Sequence, residues 1–300
     1  MTIDSLNDQF GIDHQLRFVK GQNDLTMIQI TSDLAKATLS TYAAQVLSFQ
    51  PHEEPEDVFF VSDAAYYSFG KAIRGGVPIC WPWFGNDPTN QGKPSHGFAR
   101  KRAWQVKETQ VLEDGSISVK LSLTNSVETE KLWPHRIELL LEVIVSKALT
   151  LRLITSNNNQ YPITISQALH AYFKVGDISK VQILGLEGTE YIDQLHADKL
   201  KTQGGSVAVE AEVDRIYTHV PNELVIDDKS LGRRIKIDTE GSQTAVVWNP
   251  WIDKAARMTD LGDQEYRTMI CVETANAGPE LITIPAGESY QMTATYSVKR

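Results

Sequence analysis

Two side chains suited to moving protons stand in apolar stretches that ought to be strands. In Ala168-Leu-His-Ala-Tyr-Phe-Lys-Val-Gly-Asp177, a period of two puts Leu169, Ala171, Phe173 and Val175 on one face and His170, Tyr172 and Lys174 on the other. The spacing predicts one strand whose polar face is headed by His170. An imidazole has an unperturbed pKa of about 6.5, so it can both give and take a proton near neutrality. Alone, such a residue reads equally as a half-exposed strand histidine. In Met269-Ile-Cys-Val-Glu-Thr-Ala-Asn276, both faces are apolar until Glu273. A buried carboxylate must be paired, protonated or used, and partial burial raises its pKa toward the range of a general base. An ion pair at a strand end is the alternative.

A second chemistry suggested by the sequence is anion binding. Ile73-Arg-Gly-Gly76 sets Arg74 before two glycines, whose backbone can approach a ligand closely and turn its amides toward a negative charge. Ser95-His-Gly-Phe-Ala-Arg100 supplies Ser95, His96 and Arg100 at the exit of the same Gly/Pro/Trp-rich stretch. Arginines suit phosphate and carboxylate, which they grip in a charge-assisted, bidentate way. Lys101 and Arg102 read as solvated. Asp214 stands at a strand start, where it either accepts from hydroxyls or caps a turn. Trp81, Trp83, Trp248 and Trp251 read mainly as packing, with one of them at a ligand.

No cluster has structural-zinc spacing. There is also no phosphate-binding Walker loop, no Gly-x-Gly-x-x-Gly after a strand and no Gly-x-Ser-x-Gly elbow. Metal, nucleotide and serine-hydrolase chemistry therefore have no support, and no cofactor is expected.

The elements that must position these residues are strands. Val181–Leu184, Arg233–Asp238, Thr244–Trp248, Met269–Glu273 and Tyr290–Val298 are among many short β-like runs separated by turn residues, the pattern of a sandwich. Leu25–Thr31, Ala37–Phe49 and Val58–Val61 also read as strands, Asp253–Leu261 as a short helix, and the N-terminal segment as merely polar. Ser68–Arg102 lacks periodicity, and a loop that long is usually functional. We expect one large all-β antiparallel sandwich domain over residues 1–300. The chain is 41% hydrophobic and 22% charged, ordinary for a globular protein, and its net charge of −9 disfavours nucleic acid or an anionic membrane as partner. With no leader pattern and only Cys80 and Cys271, both in apolar segments, a cytoplasmic chain with reduced core thiols is expected.

Taken together, Ile73-Arg-Gly-Gly-Val-Pro, His96-Gly-Phe-Ala-Arg100, Ala168-Leu-His-Ala-Tyr-Phe, Glu212-Val-Asp-Arg-Ile-Tyr217, Val247-Trp-Asn-Pro-Trp251 and Cys271-Val-Glu-Thr-Ala-Asn276 resemble, in order, the D-hexose-6-phosphate mutarotases, a branch of the aldose 1-epimerases. The resemblance implies a galactose-mutarotase-like supersandwich, no metal or organic cofactor, and a hexose 6-phosphate as substrate; a monomer is expected. It implies His170 and Glu273 as catalytic residues and Arg74, Arg100 and Asp214 as substrate contacts. His96 falls inside the second motif, and Ser95 stands where related enzymes can carry a longer side chain such as Gln. Ring opening needs a proton donor and an acceptor on opposite sides of one acetal-like centre, so His170 and Glu273 are expected to face each other across a pyranose-sized space, with Arg74 and Arg100 converging on the phosphate. Two rivals are a non-catalytic carbohydrate-binding sandwich and a glycosidase, though the latter would normally show two carboxylates.

Overall fold

The computed structural model describes residues 1–196 and 199–300. Two large antiparallel sheets form its body. The first, here the back sheet, runs Val181–Leu184, Glu223–Asp228, Arg233–Glu240, Ser289–Lys299, Leu149–Asn157, Ile137–Val145, Ile117–Thr124 and Gln105–Val111. Ile137–Val145 and Leu149–Asn157 alternate strictly between buried and half-buried positions, so each turns one face to the core and the other outward.

The second, the site sheet, runs Lys199–Thr202, Glu190–Asp193, Val213–Thr218, Thr244–Asn249, Met269–Asn276, Gln167–Leu169 and Ile79–Cys80. Its middle strands Thr244–Asn249 and Met269–Asn276 are buried at every position. One face of each packs inward: Ile270, Val272 and Val247 join the main core with residues of the back sheet such as Leu151 and Ala294. The other face is roofed by loops. Burial on both sides explains why the sequence of these strands does not alternate. A four-stranded sheet, Leu16–Lys20, Thr26–Thr31, Ala35–Ser40 and Gln45–Pro51, and a two-stranded one, Ile163–Ile165 with Ile282–Ile284, stand beside these two.

Several elements depart from the sequence reading. The run Ala37–Phe49 is a hairpin of two strands, turned at Ala43 and Ala44 with φ of 67° and 48°. No glycine marks that turn, so the pattern hides it. Val58–Val61 makes only single bridges, Phe59 to Phe173 and Val61 to Gly75. Ile3–Phe10 is a helix, capped by the Thr2 side chain and burying Leu6 and Phe10. The short helix expected over Asp253–Leu261 lies at Trp251–Ala255.

Candidate active site

The site is built on two adjacent cross-strand rows of the site sheet. Asp214 is opposite Trp248, and Trp248 opposite Cys271, which is opposite Tyr172. One step along, Ile216 is opposite Val246 and Val246 opposite Glu273. Side chains in such rows share a face.

His170 completes the second row, although the strand expected across Ala168–Asp177 is broken there. Gln167–Leu169 and Tyr172–Lys174 are separate strands, both paired with Met269–Asn276. Between them the Ala171 N–H donates to the Leu169 carbonyl (2.9 Å), a γ-turn centred on His170, while the His170 N–H donates to Pro78 O (2.9 Å). The register is unchanged across the break, with Leu169 opposite Thr274 and Tyr172 opposite Cys271, so His170 lies across from Glu273. The alternation holds too: Leu169, Ala171, Phe173 and Val175 enter the main core, and His170 and Tyr172 face away from it.

Above these rows lies a cavity of about 520 Å³, within the usual range of about 300–1,000 Å³ for small-molecule sites. All seven residues singled out from the sequence, Arg74, Ser95, His96, Arg100, His170, Asp214 and Glu273, line it. Phe84, Gly85, Asn86, Tyr172, Gln194, Val246, Trp248, Lys254 and Met258 line it as well. Of the tryptophans singled out, Trp248 reaches the cavity, whereas Trp81 is fully buried and donates to Thr155 Oγ1. A cleft of about 440 Å³ beside His135 and Tyr161 is similar in size, but its carboxylate, Glu130, is exposed.

His170 and Glu273 do not stand on opposite sides of a sugar-sized gap. His170 Nε2 is 3.3 Å from Glu273 Oε1, and both residues are buried. Their remaining atoms, His170 Nδ1 and Glu273 Oε2, have no partner among the described residues. Burial pulls the imidazole pKa well below its ordinary value, helped by His96, Arg100 and Arg74, and pushes the carboxyl well above its own, helped by Asp214. Both shifts disfavour charge, so the pair holds a single proton between its two heads over a wide span of pH. The Tyr172 ring stacks on His170 at 4.8 Å and 6° between planes, which fixes the imidazole.

His96 is held differently. Its Nδ1 accepts from the Gly85 N–H (3.3 Å) and its own N–H donates to the Gly85 carbonyl (2.6 Å). With Nδ1 an acceptor, the ring proton sits on Nε2. Burial, reinforced by Arg100 and Arg74, drops its pKa to about 3, so the ring is a neutral donor. Its backbone has a φ of 59°, and Gly97 follows at 70° with Trp81 O only 1.9 Å from where a Cβ would be. Only glycine fits there, and that turn aims His96 at His170, with ring centroids 5.8 Å apart.

The two arginines are not equivalent. Arg74 is already engaged: Nε and Nη2 donate to Asp260 (2.9 to 3.2 Å) and Nη1 donates to Tyr172 Oη (2.7 Å). Burial alone would lower its pKa, but Tyr172 and Asp260 outweigh this and raise it. Arg100 pairs with no carboxylate among the described residues; its Nη2 donates to the Ser95 carbonyl (3.1 Å) and its buried Nε has no partner. The glycines after Arg74 serve the fold, contrary to the anion-loop reading. A Cβ at Gly76 would lie 2.1 Å from Val46 O, and the Gly76 N–H donates to Phe60 O (2.7 Å). Ser95 Oγ donates to Gly85 O (3.1 Å).

At the other wall, Gln194 Nε2 donates to Asp214 Oδ1 (2.6 Å), and Lys254 Nζ lies 3.7 Å from Asp214 Oδ2 and 2.8 Å from Glu212. Burial raises the Asp214 pKa against the pull of Lys254 and Gln194. Lys254 Nζ also sits 5.7 Å from the centroid of the Trp248 ring. Sequence reading missed Asp260, Lys254 and Gln194. Tyr172 and Trp248 share strand faces with His170 and Val246, a signal the spacing of two does carry.

The model of the aldose 1-epimerase family matches residues 26–297. The chain belongs to the aldose 1-epimerase family. It is 37% identical to a candidate glucose-6-phosphate 1-epimerase of Cenchrus ciliaris, over 85% of this chain and 79% of that one. It is also 37% identical to a similarly named protein of Escherichia coli K12, over 85% and 84%. A crystal structure of a candidate mutarotase, YeaD, from Salmonella typhimurium superposes with a TM-score of 0.89 at 32% identity, covering 97% of this chain and 96% of that one. A galactose mutarotase-like protein of Lactobacillus casei shares the fold alone, at a TM-score of 0.73 and 16% identity over 91% and 100%. The expected galactose-mutarotase-like antiparallel sandwich is therefore the fold of this chain.

Proposed function

We propose that this isomerase interconverts the α and β anomers of a hexose 6-phosphate, with glucose 6-phosphate as its test substrate. The observation that carries the reading is the His170–Glu273 contact at 3.3 Å on the floor of a cavity whose wall holds Arg100, which has no carboxylate partner among the described residues.

The close spacing suits the reaction better than the opposed arrangement expected from sequence. The anomeric hydroxyl and the ring oxygen are bonded to one carbon and lie less than a hydrogen-bond length apart. A donor and an acceptor side by side can serve both. The working state of the pair has its one proton on His170 and none on Glu273. A bound anomeric hydroxyl favours that distribution, because it donates to the carboxylate and stabilises its charge.

Glu273 takes the proton of the anomeric hydroxyl while His170 gives its proton to the ring oxygen, and the C1–O5 bond breaks to leave an open-chain aldehyde. Rotation about C1–C2 presents the other carbonyl face. The hydroxyl at O5 then attacks C1, returning its proton to His170, as Glu273 returns a proton to the new anomeric oxygen. The pair ends as it began, with no redox change. His96, a fixed neutral donor, binds a sugar oxygen beside His170. Asp214 and Gln194 take ring hydroxyls, and Trp248 offers an aromatic face. Arg100 carries most of the phosphate contact, with the remaining Nη1 donor of Arg74 as its second.

The test is anomer exchange of glucose 6-phosphate followed by NMR, with the uncatalysed rate subtracted. Exchange should rise in proportion to protein concentration. A chain that binds the sugar phosphate but leaves exchange at the uncatalysed rate is a carbohydrate-binding sandwich, and the proposal is then wrong.

A further inference from the structure

Beneath the floor of the cavity lies one more functional group than the reaction uses. Cys271 lies two residues before Glu273 on the same face of Met269–Asn276, opposite Tyr172 in the register, and is fully buried. His170, Cys271 and Glu273 each offer a ligand atom within 4.8 Å of the others. The 3.3 Å between His170 Nε2 and Glu273 Oε1 is about the ligand–ligand edge of a tetrahedral zinc ion with bonds of about 2.0 Å. Glu273 Oε2 is buried and unpartnered, so a carboxylate oxygen is available without breaking another bond.

We propose that His170, Cys271 and Glu273 form a capture site for a thiophilic divalent cation, of the class of Zn²⁺ and Cd²⁺, and that such an ion switches the enzyme off. The mixed nitrogen, sulfur and oxygen donor set selects these ions over Mg²⁺, which demands oxygen ligands in an octahedron. Charge closes as well: the ion displaces the thiol proton and the single proton of the His170–Glu273 pair to solvent, leaving one thiolate, one carboxylate and one divalent cation, with no net charge buried. The fourth position of the ion opens to water from the cavity. The reaction stops because both proton-carrying heads are now ligands. The inhibitory half rests on the proposed roles of His170 and Glu273, whereas the binding half does not.

The experiment uses the whole chain. Co²⁺ is added to metal-free protein while the near-ultraviolet thiolate-to-cobalt charge-transfer band is recorded, and anomer exchange is measured against chelator-buffered Zn²⁺. Cys271→Ser and Cys271→Ala serve as parallel variants, each checked for folding by its thermal melt. We expect one cobalt ion per chain with a thiolate band in the wild type and none in either variant. The Zn²⁺ concentration for half-inhibition should rise at least tenfold in the variants, and Mg²⁺ should have no effect. A band that survives in a folded Cys271 variant, or Zn²⁺ sensitivity equal in wild type and variants, overturns the site. Cobalt binding through Cys271 in a chain that shows no metal-free exchange would instead refute the proposed function and the inhibition with it, leaving the cation site standing.

Discussion

Glu273→Gln should make the protein slower and more stable at once, and the stability gain should grow with pH. The residue is 2% exposed; among the described residues one of its oxygens has no partner and the other pairs with His170 Nε2 at 3.3 Å. Its pKa lies well above the ordinary carboxyl value because of burial. Unfolded, the same carboxyl loses its proton in the ordinary range, near 4.5. Above that pH the native state binds more protons than the unfolded one, so this residue destabilises the fold increasingly as pH rises, until the native pair gives up its proton. The slope is about 1.4 kcal/mol per pH unit. The amide of Gln has no such titration. The difference in unfolding free energy, Gln variant minus wild type, should therefore climb by that amount for each unit from pH 5 upward, until the native pair gives up its proton. Groups out of contact with residue 273 cancel in the difference, and His170, whose pKa burial holds well below its ordinary value, stays neutral in the variant. Urea denaturation at pH 5, 6, 7 and 8 measures it. Anomer exchange should meanwhile fall by about 10²–10⁴-fold, the usual share of a general acid–base group, with affinity for the sugar phosphate little changed. A stability difference flat in pH would refute the shared buried proton, and wild-type exchange in the variant would refute the base.

Arg100→Ala should cut the preference for glucose 6-phosphate over glucose by roughly one to two orders of magnitude, as loss of a charge-assisted contact of about 1.5–3 kcal/mol implies; equal loss on both sugars would show a structural arginine. Arg74→Ala strands the Asp260 carboxylate, whose side chain is 17% exposed, and should cost stability toward the lower end of the about 3–5 kcal/mol seen for broken buried pairs. Adding Asp260→Asn should restore that stability without restoring phosphate selectivity, and failure of the rescue in chemical denaturation would disprove the pairing as the cause. His96 should show the neutral Nε2–H pattern in its ¹⁵N NMR shifts throughout pH 8 to 5, because its pKa is held at about 3; a titration near 6.5 would remove its role as a fixed donor.

The chemistry was legible where it rests on residue type and the framework where it rests on period. His170 and Glu273 stand out as polar interruptions of apolar runs, and the faces of the His170 segment follow the alternation. The γ-turn at His170 was not legible, since it depends on the carbonyl of Pro78, just before a neighbouring strand. Asp260 was out of reach for a similar reason: it meets Arg74 across 186 positions of chain, and nothing local in either segment announces the other. Gln194 enters the cavity because register sets Glu190–Asp193 beside Val213–Thr218, and Lys254 because the helix Trp251–Ala255 follows a strand paired with that same one. The glycines after Arg74 misled, because close approach to one's own backbone and close approach to a ligand call for the same residue.

The floor of the cavity is two rows of hydrogen-bonded strand residues, while its walls are loops. A change of wall leaves the rows in place, since their spacing is set by strand pairing and not by the loops above. Substrate preference in this architecture is thus separable from reactivity. Redesign of the chain for a differently sized aldose can begin by exchanging residues 85–95 and 254–259, keeping His96, Gly97, Arg100 and the Arg74–Asp260 pair, which hold or tune the proton pair beneath. Libraries confined to those two segments should yield altered specificity far more often than dead enzyme, whereas variation in the rows should do the reverse.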